Sequence, residues 1–132
     1  MRHPFRHLLI ASGVLLAAAT FAAPAGADPW PPAQITLTVT PGDGSAPPLR
    51  TVTLDCPPGG THPNPLAACT ELAAAGGDFD ALTTQAPHRV CTMIWDPITV
   101  TATGHWGTRA VDYRHTFANS CVLEGAAAVF RF

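Results

Sequence analysis

The chain has 132 residues, of which 47% are apolar and 12% charged. Such a chain is neither disordered nor a charged nucleic-acid binder. Nine carboxylates outnumber seven arginines and there is no lysine, so nothing steers the chain toward phosphate or anionic lipid.

In chain order, the first segment reads as a secretory signal. Arg2 and Arg6 give a positive start, Leu8 to Ala23 an uncharged apolar run, and Ala25-Gly26-Ala27 the small residues of a cleavage site. The run falls short of the roughly 20 residues that span a bilayer. Residues 1–27 are therefore predicted to be removed, with Asp28 as the new N-terminus. The product is predicted to be secreted, extracellular and free of membrane. The rest is one domain by length, read as a flexible lead-in over 28–34 and a folded domain over 35–132.

Gln34 to Thr40 alternates, with Ile35, Leu37 and Val39 on one face and threonines on the other. Period two with β-branched residues predicts a half-buried strand. Pro41-Gly42-Asp43-Gly44-Ser45 is a turn, and Thr51 to Leu54 alternates again, which suggests an antiparallel pair. Cys56 to Pro65 reads as loop. A helix follows, with Asn64 as its cap, Pro65 at its first position and Gly76 at its end. Cys69, Leu72, Ala73 and Gly76 share its inner face. Asp78 caps a second, short helix through Leu82. Alternation returns from Ile98 to Thr103 and breaks at Gly104. Trp106 to Phe117 is a further strand, and Val129 to Phe132 a closing edge strand. Strands, helices, then strands predict an α+β fold with an antiparallel sheet.

Four cysteines, Cys56, Cys69, Cys91 and Cys121, lie beyond the signal. An even count in a small exported domain predicts two disulfides, with three pairings open. Sequence-adjacent bridges would stabilise by roughly 3–4 kcal/mol each in the chain-entropy account. Zinc is disfavoured, because there is no CxxC pair and the histidines lack ligand spacing. No metal or other cofactor is expected.

Catalytic signatures are missing. Ser45 and Ser120 lack a nucleophile elbow. Asp78 and Asp80 sit at a helix start, where capping explains them. His115 falls on the inward face of a strand and reads as a packed, hydrogen-bonded core histidine. The chain is read as a non-enzyme.

Val90-Cys91-Thr92-Met93-Ile94-Trp95-Asp96-Pro97 differs from every other segment. Its consecutive large apolar residues fit a core strand, yet they break the alternation seen elsewhere. The competing reading is an apolar tip presented to a partner between a tethered cysteine and a rigid proline.

Several motifs together resemble the Streptomyces subtilisin inhibitor family. They are Gly60-Thr61-His62-Pro63 after Cys56, Ala68-Cys69-Thr70-Glu71-Leu72, Gly76-Gly77-Asp78, Cys91-Thr92-Met93-Ile94-Trp95-Asp96-Pro97 and Phe117-Ala118-Asn119-Ser120-Cys121. The resemblance runs from about Ile35 to Phe132. It implies a five-stranded antiparallel sheet with two helices, bridges Cys56–Cys69 and Cys91–Cys121, and a sheet-mediated homodimer. It implies inhibition of subtilisin-like serine proteases, and Met93 also suits chymotrypsin-like pockets. It places the reactive bond at Met93–Ile94, with Val90, Cys91, Thr92, Trp95 and Asp96 along the protease groove. Asn119 and Pro97 support the loop. Thr92 stands where the family commonly has proline, and the loop after Cys56 is short for the family. The alternative is a secreted, non-inhibitory binding protein on the same fold.

Overall fold

The computed structural model describes residues 30–85, 87 and 89–132. The signal-peptide assignment of residues 1–27 lies outside the described residues. Strand β1 (Ala33–Pro41) pairs antiparallel with β2 (Arg50–Cys56) on one side and β4 (Ile98–Trp106) on the other. A two-residue β3 (Gly59–Gly60) flanks β2, and β5 (Arg109–Phe117) flanks β4, in the order β3-β2-β1-β4-β5. Helices α1 (Pro65–Ala74) and α2 (Phe79–Thr83) connect β3 to the later strands.

The alternating residues meet as their period requires. Ile35 and Leu37 of β1, Leu54 of β2, and Val100 and Ala102 of β4 are all buried on the inner face. Ala68, Cys69 and Leu72 of α1 and Phe79 and Leu82 of α2 cover them. The outer face carries threonines in cross-strand register: Thr53, Thr36 and Thr103 in one row, Thr51, Thr38 and Thr101 in the next. Both helix starts follow their capping residues. The Asn64 side chain accepts from the Ala67 N–H, and that of Asp78 from the N–H groups of Asp80 and Ala81. The bridges are Cys56–Cys69, which fastens β2 to α1, and Cys91–Cys121.

Five expectations need correction. The chain has a third helix, α3 (Ser120–Glu124), whose five residues are too few to show a period. Val129–Phe132 is not a strand. Ala128–Phe130 forms a 3₁₀ turn, and Ala127 to Phe130 are buried without alternation. The fifth strand is instead β3, inside the stretch read as loop. Gly104 does not end its strand, because β4 continues to Trp106 and β5 starts only at Arg109. Glycine is needed there because a Cβ at 104 would collide with the Gln34 carbonyl oxygen, and φ is +144°. The lead-in is shorter than expected, since β1 begins at Ala33 and Trp30 already packs on the core.

The fifth concerns histidine. His115 is half-buried, edge-on to Phe117 at 4.7 Å between centroids, and no hydrogen bond to its ring is seen among the described residues. The buried histidine is His62. Its Nδ1 accepts the Asn64 N–H at 3.0 Å and its Nε2 lies 3.3 Å from the Val129 carbonyl oxygen. Burial lowers its pKa, outweighing the opposing hydrogen bonds.

The C-terminal turn completes an aromatic cluster. Phe130 lies 5.6 Å from both Tyr113 and Phe117, and Phe79 lies 5.2 Å from Tyr113. Thr83 Oγ1 donates to the Phe79 carbonyl, so the Tyr113 hydroxyl donates to Thr83 across 2.6 Å. Burial pushes the Tyr113 phenol up to about 12.

Candidate functional site

The segment between α2 and β4 has no regular structure from Val90 to Pro97. Its side chains leave the core entirely. Val90 is 101% exposed, Met93 77%, Ile94 67% and Trp95 71%. Thr92 and Asp96 are also exposed, while Cys91 and Pro97 are half-buried. The core-strand reading of this segment is therefore wrong. Exposing four neighbouring large apolar residues forgoes the roughly 1.5–3 kcal/mol that burying each would contribute. A patch of this kind marks an interaction site.

The backbone beneath those side chains is held firmly. Cys91 is bonded to Cys121, one residue into α3. Beside that bridge, Arg89 donates to Glu124 at 2.7 Å, although both side chains are at least half exposed and the pair adds little energy. On the far side of the tip, the Asp96 N–H donates to the Ala118 carbonyl at 2.9 Å. The Pro97 carbonyl accepts the Gly42 N–H at 2.8 Å.

Asn119 joins these supports. It is buried two residues beyond β5, in extended backbone, directly before α3. Its Oδ1 accepts the Val122 N–H at 3.0 Å and so caps α3. Its Nδ2 donates to the Thr92 carbonyl at 3.0 Å and to the Ile94 carbonyl at 2.9 Å. One planar amide thus uses its acceptor on the helix and both donors on the loop. The two carbonyls it holds lie on either side of Met93. The peptide bonds are pinned from behind while the side chains point outward. A shallow, largely apolar cleft of about 540 Å³ flanks the tip, lined by Pro87, Arg89, Val90, Cys91, Met93 and Val122.

All the residues singled out in the sequence from Val90 to Pro97, with Asn119, Cys91 and Cys121, fall in this one region. Cys56 and Cys69 lie apart from it, between β2 and α1. Sequence reading missed Gly42, Ala118 and the Arg89–Glu124 pair. Gly42 and Ala118 act through backbone atoms, which side-chain chemistry does not reveal. Among the described residues, no group of three or more His, Cys, Asp or Glu side chains is placed to hold a metal ion. None of the helices there is long and apolar enough to cross a membrane.

An ordered, exposed stretch of peptide on a small disulfide-bonded domain defines a protein that binds through a preformed loop. The comparisons with known proteins specify which kind. The profile of the subtilisin inhibitor-like family matches residues 31–119. Subtilisin inhibitor-like protein 5 of Streptomyces fradiae is 49% identical over 106 residues, covering 76% of this chain and 98% of that protein. Kexstatin-1 of Streptomyces platensis is 45% identical over 108 residues, covering 78% of this chain and 74% of that protein. Sermetstatin of Streptomyces caespitosus, solved in complex with Bacillus licheniformis subtilisin, is 40% identical with a TM-score of 0.67. That match covers 76% of this chain and 99% of sermetstatin. The chain belongs to the subtilisin inhibitor-like family, a family of protease inhibitors and not of enzymes.

Proposed function

We propose that this protein is a secreted inhibitor of subtilisin-like serine proteases that offers Met93–Ile94 as its reactive bond. The observation that carries the reading is the pairing of exposed side chains with a pinned backbone. Met93 is free to enter a protease's primary pocket while Asn119 holds the carbonyls on both sides of it.

The mechanism follows from the geometry. A serine protease binds an extended peptide with one side chain in its pocket and the scissile carbonyl in the oxyanion hole. A flexible substrate loses roughly 0.5–1.5 kcal/mol for each side chain it immobilises, and this loop is ordered beforehand. Val90, Cys91 and Thr92 line the groove on one side of the bond, Ile94, Trp95 and Asp96 on the other. An interface of this kind buries about 1,600 Å² and can be very tight. Acylation would release the Ile94 amine. The Cys91–Cys121 bridge, Asn119 and the Asp96 and Pro97 backbone bonds keep both new ends close. Religation therefore competes with hydrolysis.

The unbranched apolar Met93 side chain suits subtilisin-like and chymotrypsin-like pockets and gives nothing to the buried aspartate of a trypsin-like one. Export rests on the N-terminal signal pattern and on the two disulfides. Homodimerisation through the outer sheet face rests on the family resemblance, and the threonine rows offer a flat surface for it. Titration of subtilisin with the purified protein tests the reading. Stoichiometric loss of activity is expected. Full activity at excess protein would leave a non-inhibitory binding protein.

A further inference from the structure

Thr99 is a buried polar residue that the loop contacts described so far do not explain. It lies in β4, two residues after Pro97, and its side chain is completely inaccessible. Its partners form a chain. Thr99 Oγ1 donates to the Gly42 carbonyl at 2.8 Å. A threonine hydroxyl has one hydrogen, so the 2.8 Å contact with Thr116 Oγ1 must have Thr116 as donor. Gly42 in turn donates its N–H to the Pro97 carbonyl. The path runs from β5 through Thr99 and Gly42 to the fourth residue after Met93.

The β1–β2 turn is built to keep Gly42 in place. Gly42 has φ +68°, a conformation that favours glycine. The Asp43 carboxylate accepts the Ser45 N–H at 3.0 Å, and the Arg114 guanidinium donates to the Asp43 carbonyl. A Cβ on Gly44 would lie 2.6 Å from Arg114 Nη2, so the guanidinium sits directly on the turn.

We propose that Thr99 is a positioning residue for inhibition, acting through Gly42 to hold the limb of the loop that carries the leaving amine. Asn119 fixes the backbone around the bond, and Thr99 fixes where that limb re-enters the sheet. This inference rests on Met93–Ile94 being the reactive bond. Without the Thr99 hydroxyl, the Gly42 carbonyl loses its donor, the Pro97 anchor loosens, and the cut amine leaves its acyl partner more often.

The test follows nicking between Met93 and Ile94 during incubation with catalytic subtilisin, together with the final ratio of nicked to intact protein. Thr99→Val keeps the shape and removes the hydroxyl. Nicking about five- to tenfold faster, with a final ratio shifted toward the nicked form, is expected from the loss of one or two hydrogen bonds. Thr99→Ser restores the wild-type rate. Ala74→Gly, which weakens α1 away from the loop, lowers the melting temperature without faster nicking. Thr99→Val nicked at the wild-type rate, or no faster than Ala74→Gly, overturns the proposal. Should Thr99→Val not fold, Thr99→Ala removes the same hydroxyl, and with it the bond to the Gly42 carbonyl, in a smaller side chain. Faster nicking supports the proposal and a wild-type rate overturns it. A wild-type protein that neither inhibits nor is cut at Met93–Ile94 refutes the reactive-bond reading instead.

Discussion

Asn119→Asp separates the two tasks of one side chain. Aspartate is as good a helix cap as asparagine, so the bond to the Val122 N–H survives. The other half of the group changes from two donors to a carboxylate oxygen facing two carbonyls. The wild-type bonds to Thr92 and Ile94 are 3.0 and 2.9 Å long. Each contributes about 1 kcal/mol net. Their loss removes about 2 kcal/mol of loop order, about 30-fold in the ratio of nicked to intact inhibitor, and facing oxygens add to that. Asn119→Ala removes cap and brace together, and the cap alone is worth about 1 kcal/mol. That corresponds to a further fall of about 5 °C in Tm for a domain of this size. The assay is a time course with catalytic subtilisin, read by mass spectrometry, beside thermal melts. Asn119→Asp should melt above Asn119→Ala yet be cut much faster than wild type. Wild-type resistance to cutting in the aspartate variant would refute the bracing argument.

Met93→Lys should raise trypsin inhibition and weaken subtilisin inhibition, each by at least tenfold, measured as inhibition constants; unchanged selectivity would move the reactive bond elsewhere. Stability should depend on pH through His62. Burial lowers its folded-state pKa below the ordinary value near 6.5, so the unfolded chain binds the proton first. Its contribution is complete above about pH 6.5 and is lost as pH falls from there to the lowered folded value. Denaturant melts of His62→Gln across that range should show a flatter slope than wild type, and an equal slope would argue against a neutral buried imidazole. Gly104→Ala should destabilise the central β1–β4 pairing by about 2–4 kcal/mol, because its Cβ meets the Gln34 carbonyl. Chemical denaturation measures this, and a loss below 1 kcal/mol would mean the strands part there easily.

The central sheet was legible because Ile35, Leu37, Val39, Val52, Leu54, Val100 and Ala102 obey period two. Both longer-range helix starts were legible because Asn64, Pro65 and Asp78 are capping chemistry. The C-terminal segment was not. Val129 and Phe130 are both buried, and two adjacent apolar residues cannot distinguish a strand from a 3₁₀ turn docked under an aromatic cluster. Gly104 misled because a glycine that breaks a strand and one that admits a neighbouring backbone look the same in sequence. The strand β3 consists of two glycines, whose pairing depends only on backbone atoms.

At the loop, the break in alternation from Met93 to Trp95 only raises presentation as a rival to the core-strand reading, and the exposure of those side chains decides between the two. Asn119 entered through a family motif; its dual use of one amide needed three-dimensional distances. The Thr99–Gly42–Pro97 path spans β1, β4 and β5, and nothing local in the sequence links those residues.

The most direct test of the account is the mass of the unreduced protein after long incubation with catalytic subtilisin. The account predicts a single species heavier by one water, still held together by Cys91–Cys121, which separates on reduction at Met93–Ile94, with intact protein persisting beside it. Rapid conversion to many fragments, or a cut at any other bond, would contradict it.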